Sequence, residues 1–377
     1  MFTRKMERQI KKKMFSGKSI LLLGARQVGK TTLIKNLLKE YKENLILSFN
    51  CDDPSDRDKL FNQDLETLKL YVDNYKIIFI DEAQKVKNIG QTVKLLVDYY
   101  QEKKQIILTG SSSINLLENT EETLTGRKFT YVLYPISIEE IKSAKNLIEI
   151  EKNLEFYLRF GQYPNVLSAT SLEDKIQIIK ELSTNYLYKD ILEFQNIKSS
   201  QTINDLLRAL AFQVGSEVSY TELSRLIGID KNTIEKYIDI LEKNFIILRL
   251  PPFYKNKRRE ISKLRKIYFY DLGIRNALIE NFNSIDKRDD IGKLWENFVV
   301  IERLKYRKYN NKDANQYFFR TYDGLEVDLV EEKEGKLFGY EIKWSARNSR
   351  SRPSKFLEYK NSSIEEINSS NFMKFLM

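Results

Sequence analysis

Two hydrophobic periods alternate through the first 136 residues of the chain. Ser19–Leu23, Leu45–Phe49, Lys76–Ile80, Gln105–Thr109 and Lys128–Leu133 are short, nearly continuous apolar runs. Between them, Thr31–Leu38 and Asn88–Glu102 space their apolar residues for one face of a helix, the second with Val93, Leu95, Leu96, Val97 and Tyr100. A short run that is apolar on both faces suits a strand buried in a parallel sheet, and helical crossovers are what join parallel strands. The pattern predicts an α/β fold with a doubly wound parallel sheet.

Past residue 200 the pattern changes. Thr221–Leu226 and Lys231–Asn244 have helical spacing, with Ile234, Tyr237, Ile238, Ile240 and Leu241 apolar in the second. Gly228-Ile229-Asp230 makes a turn between them, with Asp230 suited to an N-cap. Phe245–Leu250 reads as a strand, and a loop from Pro251 to Lys266 follows. That loop carries Lys255, Lys257, Arg258, Arg259, Lys263, Arg265 and Lys266 against one acid, Glu260. Further on, Leu294–Leu304 is helical, while Leu325–Val330 and Leu337–Trp344 alternate as strands about the polar turn 331–336.

A length of 377 residues with 42% hydrophobic content predicts two or three domains with real cores. The net charge of +10 points to an anionic partner, nucleic acid before membrane, although biased codon usage also yields Lys-rich chains. Cys51 is the single cysteine, which excludes an intramolecular disulfide framework and predicts a reducing, cytoplasmic setting. Histidine is absent, which removes His-based triads, HNH-type nuclease chemistry and most zinc sites. No apolar run approaches the roughly 20 residues of a membrane span, so no membrane partner is expected. Lys11-Lys12-Lys13 ahead of the first apolar run resembles a signal-peptide start, but that run is too short and leads straight into a glycine loop.

The glycine loop is Gly24-Ala25-Arg26-Gln27-Val28-Gly29-Lys30-Thr31, between a predicted strand and a predicted helix that opens at Thr31-Thr32. Glycines at these positions let backbone N–H groups turn in on phosphates, and the helix N-terminus adds positive dipole. Lys30 supplies a charge to the β- and γ-phosphates of ATP, and the Thr31 hydroxyl can ligate Mg²⁺. The third strand ends in Asp81-Glu82, at the edge of a parallel sheet where ligands bind. Asp81 can hold Mg²⁺ through water, and Glu82 can orient and deprotonate the attacking water. Ser111, in Thr109-Gly110-Ser111-Ser112-Ser113, contacts the γ-phosphate or water, or else caps a helix. Arg127 is either an arginine finger or a surface arginine.

These segments, with Leu124-Thr125-Gly126-Arg127 and Leu133-Tyr134-Pro135-Ile136-Ser137, resemble the prokaryotic AAA-type ATPases that carry a C-terminal domain of unknown function. Phe160-Gly161-Gln162-Tyr163-Pro164, Tyr186–Leu192, Tyr268–Gly273 and Trp295-Glu296-Asn297 extend the resemblance along nearly the whole chain, with Gln162 replacing the usual second glycine. The resemblance implies a P-loop AAA-type doubly wound parallel sheet in 1–136, a helical lid or linker in 137–205, a winged-helix-like region in 206–270 and a small α/β PD-(D/E)xK nuclease-like, restriction-endonuclease-like domain in 271–377. It leaves room for a homo-oligomer in which Arg127 acts in its own chain or across a subunit boundary. A winged helix would aim Lys231, Asn232, Thr233 and Lys236 at a major groove and its basic loop at phosphates, or else pack between domains.

A hairpin folded symmetrically about Glu334-Gly335 sets Asp328 opposite Glu341, with Lys343 on the same face. With Glu296 this trio resembles a PD-(D/E)xK nuclease site, in which the acids hold Mg²⁺ and the lysine assists the attacking water. The tripeptide alone means little, since Glu140-Ile141-Lys142 repeats it. The other reading is a nuclease-like fold kept for binding. The 34 residues after Lys343 must supply any closing strand and helix. The leading expectation is an ATPase that couples hydrolysis to action on DNA. Its rivals are a nucleotide-dependent switch for a protein partner and a metal-dependent DNA nuclease regulated by the ATPase.

Overall fold

The five apolar runs of the N-terminal segment become five strands: β1 (Ser19–Leu23), β2 (Ile46–Asn50), β3 (Ile77–Asp81), β4 (Gln105–Gly110) and β5 (Lys128–Val132). The structure is a computed structural model that describes residues 2–111, 123–186, 200–254, 264–321, 323–345 and 354–377. The strands form one parallel sheet in the order β2-β3-β4-β1-β5. β1 and β4 are buried along their whole length, as their unbroken apolar runs require. On one face, Leu21, Leu23, Ile78, Ile80, Ile106 and Leu108 share a core with Val93, Leu96 and Val97 of the helix Ile89–Tyr100. Burying each such side chain stabilises the fold by about 1.5–3 kcal/mol. β1 lies between β4 and β5, so its C-terminal end opens into the crevice where strand order reverses.

The chain divides into two units, one of Thr3–Tyr134 with Lys243–Phe245 and one that includes Pro135–Glu242 and Ile246–Met377. The boundaries drawn from sequence after 205 and after 270 fall inside the second unit. Its first part runs helix Ser200–Phe212, β6 (Glu217–Val218), helix Tyr220–Ile227, helix Lys231–Lys243, β7 (Ile247–Leu250) and β8 (Arg265–Phe269). The three strands are antiparallel in the order β6-β8-β7. The helix boundaries have local causes. Ser219 caps the Glu222 amide, Gly228 ends its helix at φ +78°, and Asp230 accepts the Thr233 amide at 2.9 Å. The basic residues 255–263 lie outside the described residues, as does most of the Tyr186–Leu192 segment.

The second part runs from the 19-residue helix Ile291–Tyr309 through β9 (Asn315–Arg320), β10 (Glu326–Lys333) and β11 (Lys336–Ile342). The helix Ser354–Leu357, β12 (Ser362–Ile367) and the helix Phe372–Leu376 complete it. The sheet order is β12-β11-β10-β9, with β12 parallel to β11 and the other pairs antiparallel. Leu329 faces Tyr340 and Lys333 faces Lys336, so the β10–β11 turn is centred on Glu334-Gly335, both at positive φ. The residues after Lys343 thus include the closing strand and two short helices.

Two of the segments that carry the resemblance meet in this unit. A Cβ on Gly161 would lie 2.0 Å from Asp271 Oδ1, and one on Gly273 would lie 2.2 Å from the Phe160 carbonyl oxygen. Asp271 accepts the amides of Gln162 at 2.7 Å and Ile274 at 3.2 Å, joining the Phe160–Pro164 segment to the helix Leu272–Leu278. Gln162 itself accepts from the buried Lys305 at 3.4 Å, a contact that a glycine lacks. Glu140 of the repeated Glu-x-Lys triplet forms a capping box with Ser137. Among the described residues no helix is long and apolar enough to cross a membrane.

Candidate functional site

The loop Gly24–Gly29 joins β1 to the helix Lys30–Leu38, whose first turn holds Thr31 and Thr32. Gly24 sits at φ +149°, and a Cβ there would lie 2.2 Å from the Leu133 carbonyl oxygen, so only glycine fits. Gly29 forms the left-handed N-cap at φ +97°, and Gln27 is also left-handed at φ +59°. Ala25 and Val28 are buried, while Arg26 is partly exposed. The Lys30 ammonium donates to the carbonyls of Gly24 at 2.9 Å and Ala25 at 3.0 Å. Arg4, which the sequence patterns do not single out, braces the loop from below. Its guanidinium donates to the Val28 carbonyl at 2.7 Å and the Tyr134 carbonyl at 2.6 Å.

Parallel register sets the carboxylates beside this loop. Asp81 ends β3, and its Oδ2 accepts from the Thr31 hydroxyl at 2.9 Å. The Thr109 hydroxyl, at the end of β4, also donates to Asp81. A hydroxyl and a carboxylate in contact at the first turn of the loop helix suit Mg²⁺, which prefers oxygen ligands and keeps several waters. Glu82 follows in the left-handed region at φ +52°, a conformation that costs a non-glycine residue on the order of 1–3 kcal/mol and turns its side chain out of the strand's path. Its Oε2 accepts from Gln84 Nε2 at 2.5 Å and from the Ser111 hydroxyl at 3.4 Å. Gln84 Nε2 also donates to Ser111 Oγ at 3.0 Å, and its buried Oε1 has no hydrogen-bond partner among the described residues. Gln84 is a site residue that the strand-end motif does not reveal. Its signal is the position two residues past Glu82, on the short turn Ala83–Lys85. Ser112 and Ser113 lie outside the described residues.

Arg127 lies elsewhere. Its carbonyl accepts the Ser19 amide at 2.9 Å, at the start of β1, and its guanidinium pairs with Asp98 at 2.5 Å. The phosphate loop begins beyond the other end of β1, about 15 Å away at strand rise. Because β1 and β5 are parallel with Ser19 facing Lys128, Arg127 is on the opposite edge of the sheet and does not reach its own chain's loop. Of the readings left open for Arg127, a finger within its own chain does not fit this position, while a surface arginine and a finger across a subunit boundary both do.

A second cluster forms in the other unit. Glu296 on the long helix, with Glu326 and Asp328 on β10, bring carboxylate oxygens within 4.8 Å of one another. Glu341 is not in this group; Glu326, two residues before Asp328 on an alternating strand, stands in its place. β10 shifts register against β9 between Val327 and Val330, and Asp328 there accepts the Ile342 amide at 2.8 Å. Lys343 donates to Asp328 at 3.2 Å.

Lys266, counted from sequence in an exposed basic loop, is instead the first buried residue of β8, 1% exposed. Its ammonium is 2.8 Å from Glu296 Oε1 and 3.8 Å from Asp328 Oδ1, and it also pairs with Glu326. Tyr268, two residues along β8, donates to the same Glu296 oxygen at 2.7 Å. Lys293 reaches the other Glu296 oxygen at 3.4 Å. Burial works against the Lys266 charge, but Glu296, Asp328 and Glu326 outweigh it and hold its pKa above the ordinary lysine value. Burial likewise opposes the Glu296 charge, yet Lys266, Lys293 and the Tyr268 hydroxyl bring its pKa below the usual carboxylate value. Burial and the neighbouring Glu296 charge push Asp328 up to about 6, against the pull of Lys266 and Lys343. The Lys266 ammonium thus lies among the carboxylate oxygens that would ligate a divalent ion here.

Residues 16–142 match a family model described as an AAA domain. The match supports a P-loop ATPase in this part of the chain. Residues 151–285 and 291–373 match two models, each described as a domain of unknown function (DUF8612 and DUF4143). An uncharacterized protein of Mycobacterium tuberculosis is 28% identical over 335 residues, which cover 88% of this chain and 72% of the relative. An uncharacterized protein of Methanocaldococcus jannaschii is 25% identical over 346 residues, covering 86% and 74%. Among solved structures, a Walker-type ATPase of Pyrococcus abyssi is similar at 17% identity and a TM-score of 0.49, covering 74% of this chain and 96% of that one.

Proposed function

We propose that the N-terminal unit binds ATP with Mg²⁺ and hydrolyses it, and that hydrolysis drives action on nucleic acid by the second unit. The observation that carries the reading is the chain of contacts Thr31–Asp81 and Ser111–Glu82 beside the glycine loop. The loop amides and Lys30 bind the phosphates, Lys30 exchanging its two carbonyl partners for phosphate oxygens. Mg²⁺, when bound, would supply charge neutralisation for the phosphates. Thr31 and Asp81 are the residues that would hold it. Glu82 accepts the proton of the attacking water, and Ser111 and Gln84 keep its carboxylate aimed. Arg127 can serve as a finger only for a second copy of the chain.

The nucleic-acid part of the reading rests on the order helix, strand, helix, helix, strand, strand with the sheet β6-β8-β7, which supports reading this region as a winged helix. It also rests on the +10 charge and on Lys231, Asn232 and Lys236, exposed at the start of the third helix. The test is ATP hydrolysis with and without DNA, beside Glu82→Gln. DNA-stimulated turnover that is lost in Glu82→Gln supports the proposal. Tight nucleotide retention with negligible turnover, stimulated or not, favours a nucleotide-dependent switch for a protein partner.

A further inference from the structure

The second unit contains the side-chain types of a metal-dependent nuclease, yet their arrangement points elsewhere. Three acids converge: Glu296, Glu326 and Asp328. Three ammonium groups meet them. Lys266 touches all three acids, Lys293 pairs with Glu296, and Lys343 pairs with Asp328. The three ammonium groups match the three acids in formal charge, which weakens the pull of this cluster on a divalent ion. Lys266 also has nowhere to go. It is buried, its ammonium lies 5.5 Å from the centre of the Phe318 ring, and its strand is paired on both sides. For a metal to take the carboxylates, this ammonium would be left buried beside a second cation, and both charges would lose their compensation.

We infer that Lys266 is the resident cation of this cluster, and that the cluster is a salt-bridged strut joining β8 to the long helix and β10 rather than a divalent-metal site. The helix, three antiparallel strands, helix and parallel strand around it then form a nuclease-like frame that does not cleave phosphodiesters by metal catalysis. Lys266 is brought to the acids from a strand that pairs with β6 and β7, so the strut ties the two parts of this unit together.

The experiment measures Mn²⁺ bound per chain by electron paramagnetic resonance, in full-length protein carrying Asp81→Asn so that the other unit contributes no site. With Lys266 in place, adding Asp328→Asn should leave Mn²⁺ binding unchanged. Lys266→Met should gain one bound Mn²⁺ per chain, because three carboxylates then face only two lysines. That gain should vanish with Asp328→Asn. Loss of a bound Mn²⁺ on Asp328→Asn while Lys266 is present overturns the inference. So does Mg²⁺-dependent DNA cleavage by the native chain that Asp328→Asn abolishes. If Lys266→Met does not fold, the comparison with Lys266 retained still decides.

Discussion

Both units bring carboxylates and a lysine together at strand ends, but they put the positive charge in different places. In the N-terminal unit, Lys30 is held by backbone carbonyls, while Asp81 and Glu82 are met by hydroxyls and a carboxamide. Those acids keep their negative charge available to a cation. In the second unit, Lys266 lies among the acids and spends their charge internally. The same residue types thus leave two acids facing neutral groups in one place and form a closed ionic strut in the other. The difference is the partner that each lysine finds, not the inventory of residues.

The comparison breaks most sharply at Glu82. Glu82→Gln should retain ATP binding and lower turnover by about a hundredfold or more, the usual scale of losing a general base. Single-turnover hydrolysis checks this, and turnover like that of the native chain would remove Glu82 as the base. On the other side, Lys266→Ala should destabilise the second unit by about 3–5 kcal/mol, since it leaves buried carboxylates without their cation. Urea denaturation followed by far-ultraviolet circular dichroism measures that loss, and a change below about 1 kcal/mol would mean the strut carries little.

Gln84 offers a finer test. Because it holds both Glu82 and Ser111, Gln84→Ala should lower kcat by about tenfold with KM nearly unchanged, the pattern of a positioning residue. An equal rise in KM would assign it to nucleotide binding instead. For the strut, Asp328 titrates higher in the folded chain than in the unfolded one, near 6 against an ordinary 3.8. Between those values the folded state holds a proton that the unfolded state lacks, so this group's contribution falls as pH rises. The stability of the native chain relative to Asp328→Asn should therefore decline from about pH 4 to about pH 6. A flat difference over that window would show that Asp328 is not shifted upward. The smallest effect belongs to Arg127→Ala, which should leave turnover within about twofold at dilutions where the chain is monomeric, since Arg127 does not reach its own loop.

Strands β1, β3 and β4 were legible because each is a short apolar run buried on both faces, while β2 and β5, at the sheet edges and only partly buried, were legible from their short apolar runs between helical patterns. The glycine loop was legible because its φ angles leave little choice of residue at Gly24 and Gly29. The turn at Glu334-Gly335 was legible because a two-residue hairpin sets its own register. Contacts across long separations were not. Glu326 was signalled by its alternation with Asp328, and Tyr268 by its alternation with Lys266, yet neither pattern says what the strand will face. Lys266 stood at the end of a run of basic residues that reads as solvated, and only the pairing of β8 turns it inward.

The sequence by itself therefore determined the strand–loop–helix of the phosphate loop, the acids at the end of β3, and the class of fold. Those depend on backbone conformation and on periods of a few residues. Tertiary structure alone decided that Arg127 lies at the far edge of its sheet, that Gln84 holds Glu82, and that Lys266 rather than an exposed loop residue meets Glu296, Glu326 and Asp328. A buried charge is satisfied by whichever partner packing delivers, and that partner's distance along the chain, 30 residues from Lys266 to Glu296, leaves no local pattern to read.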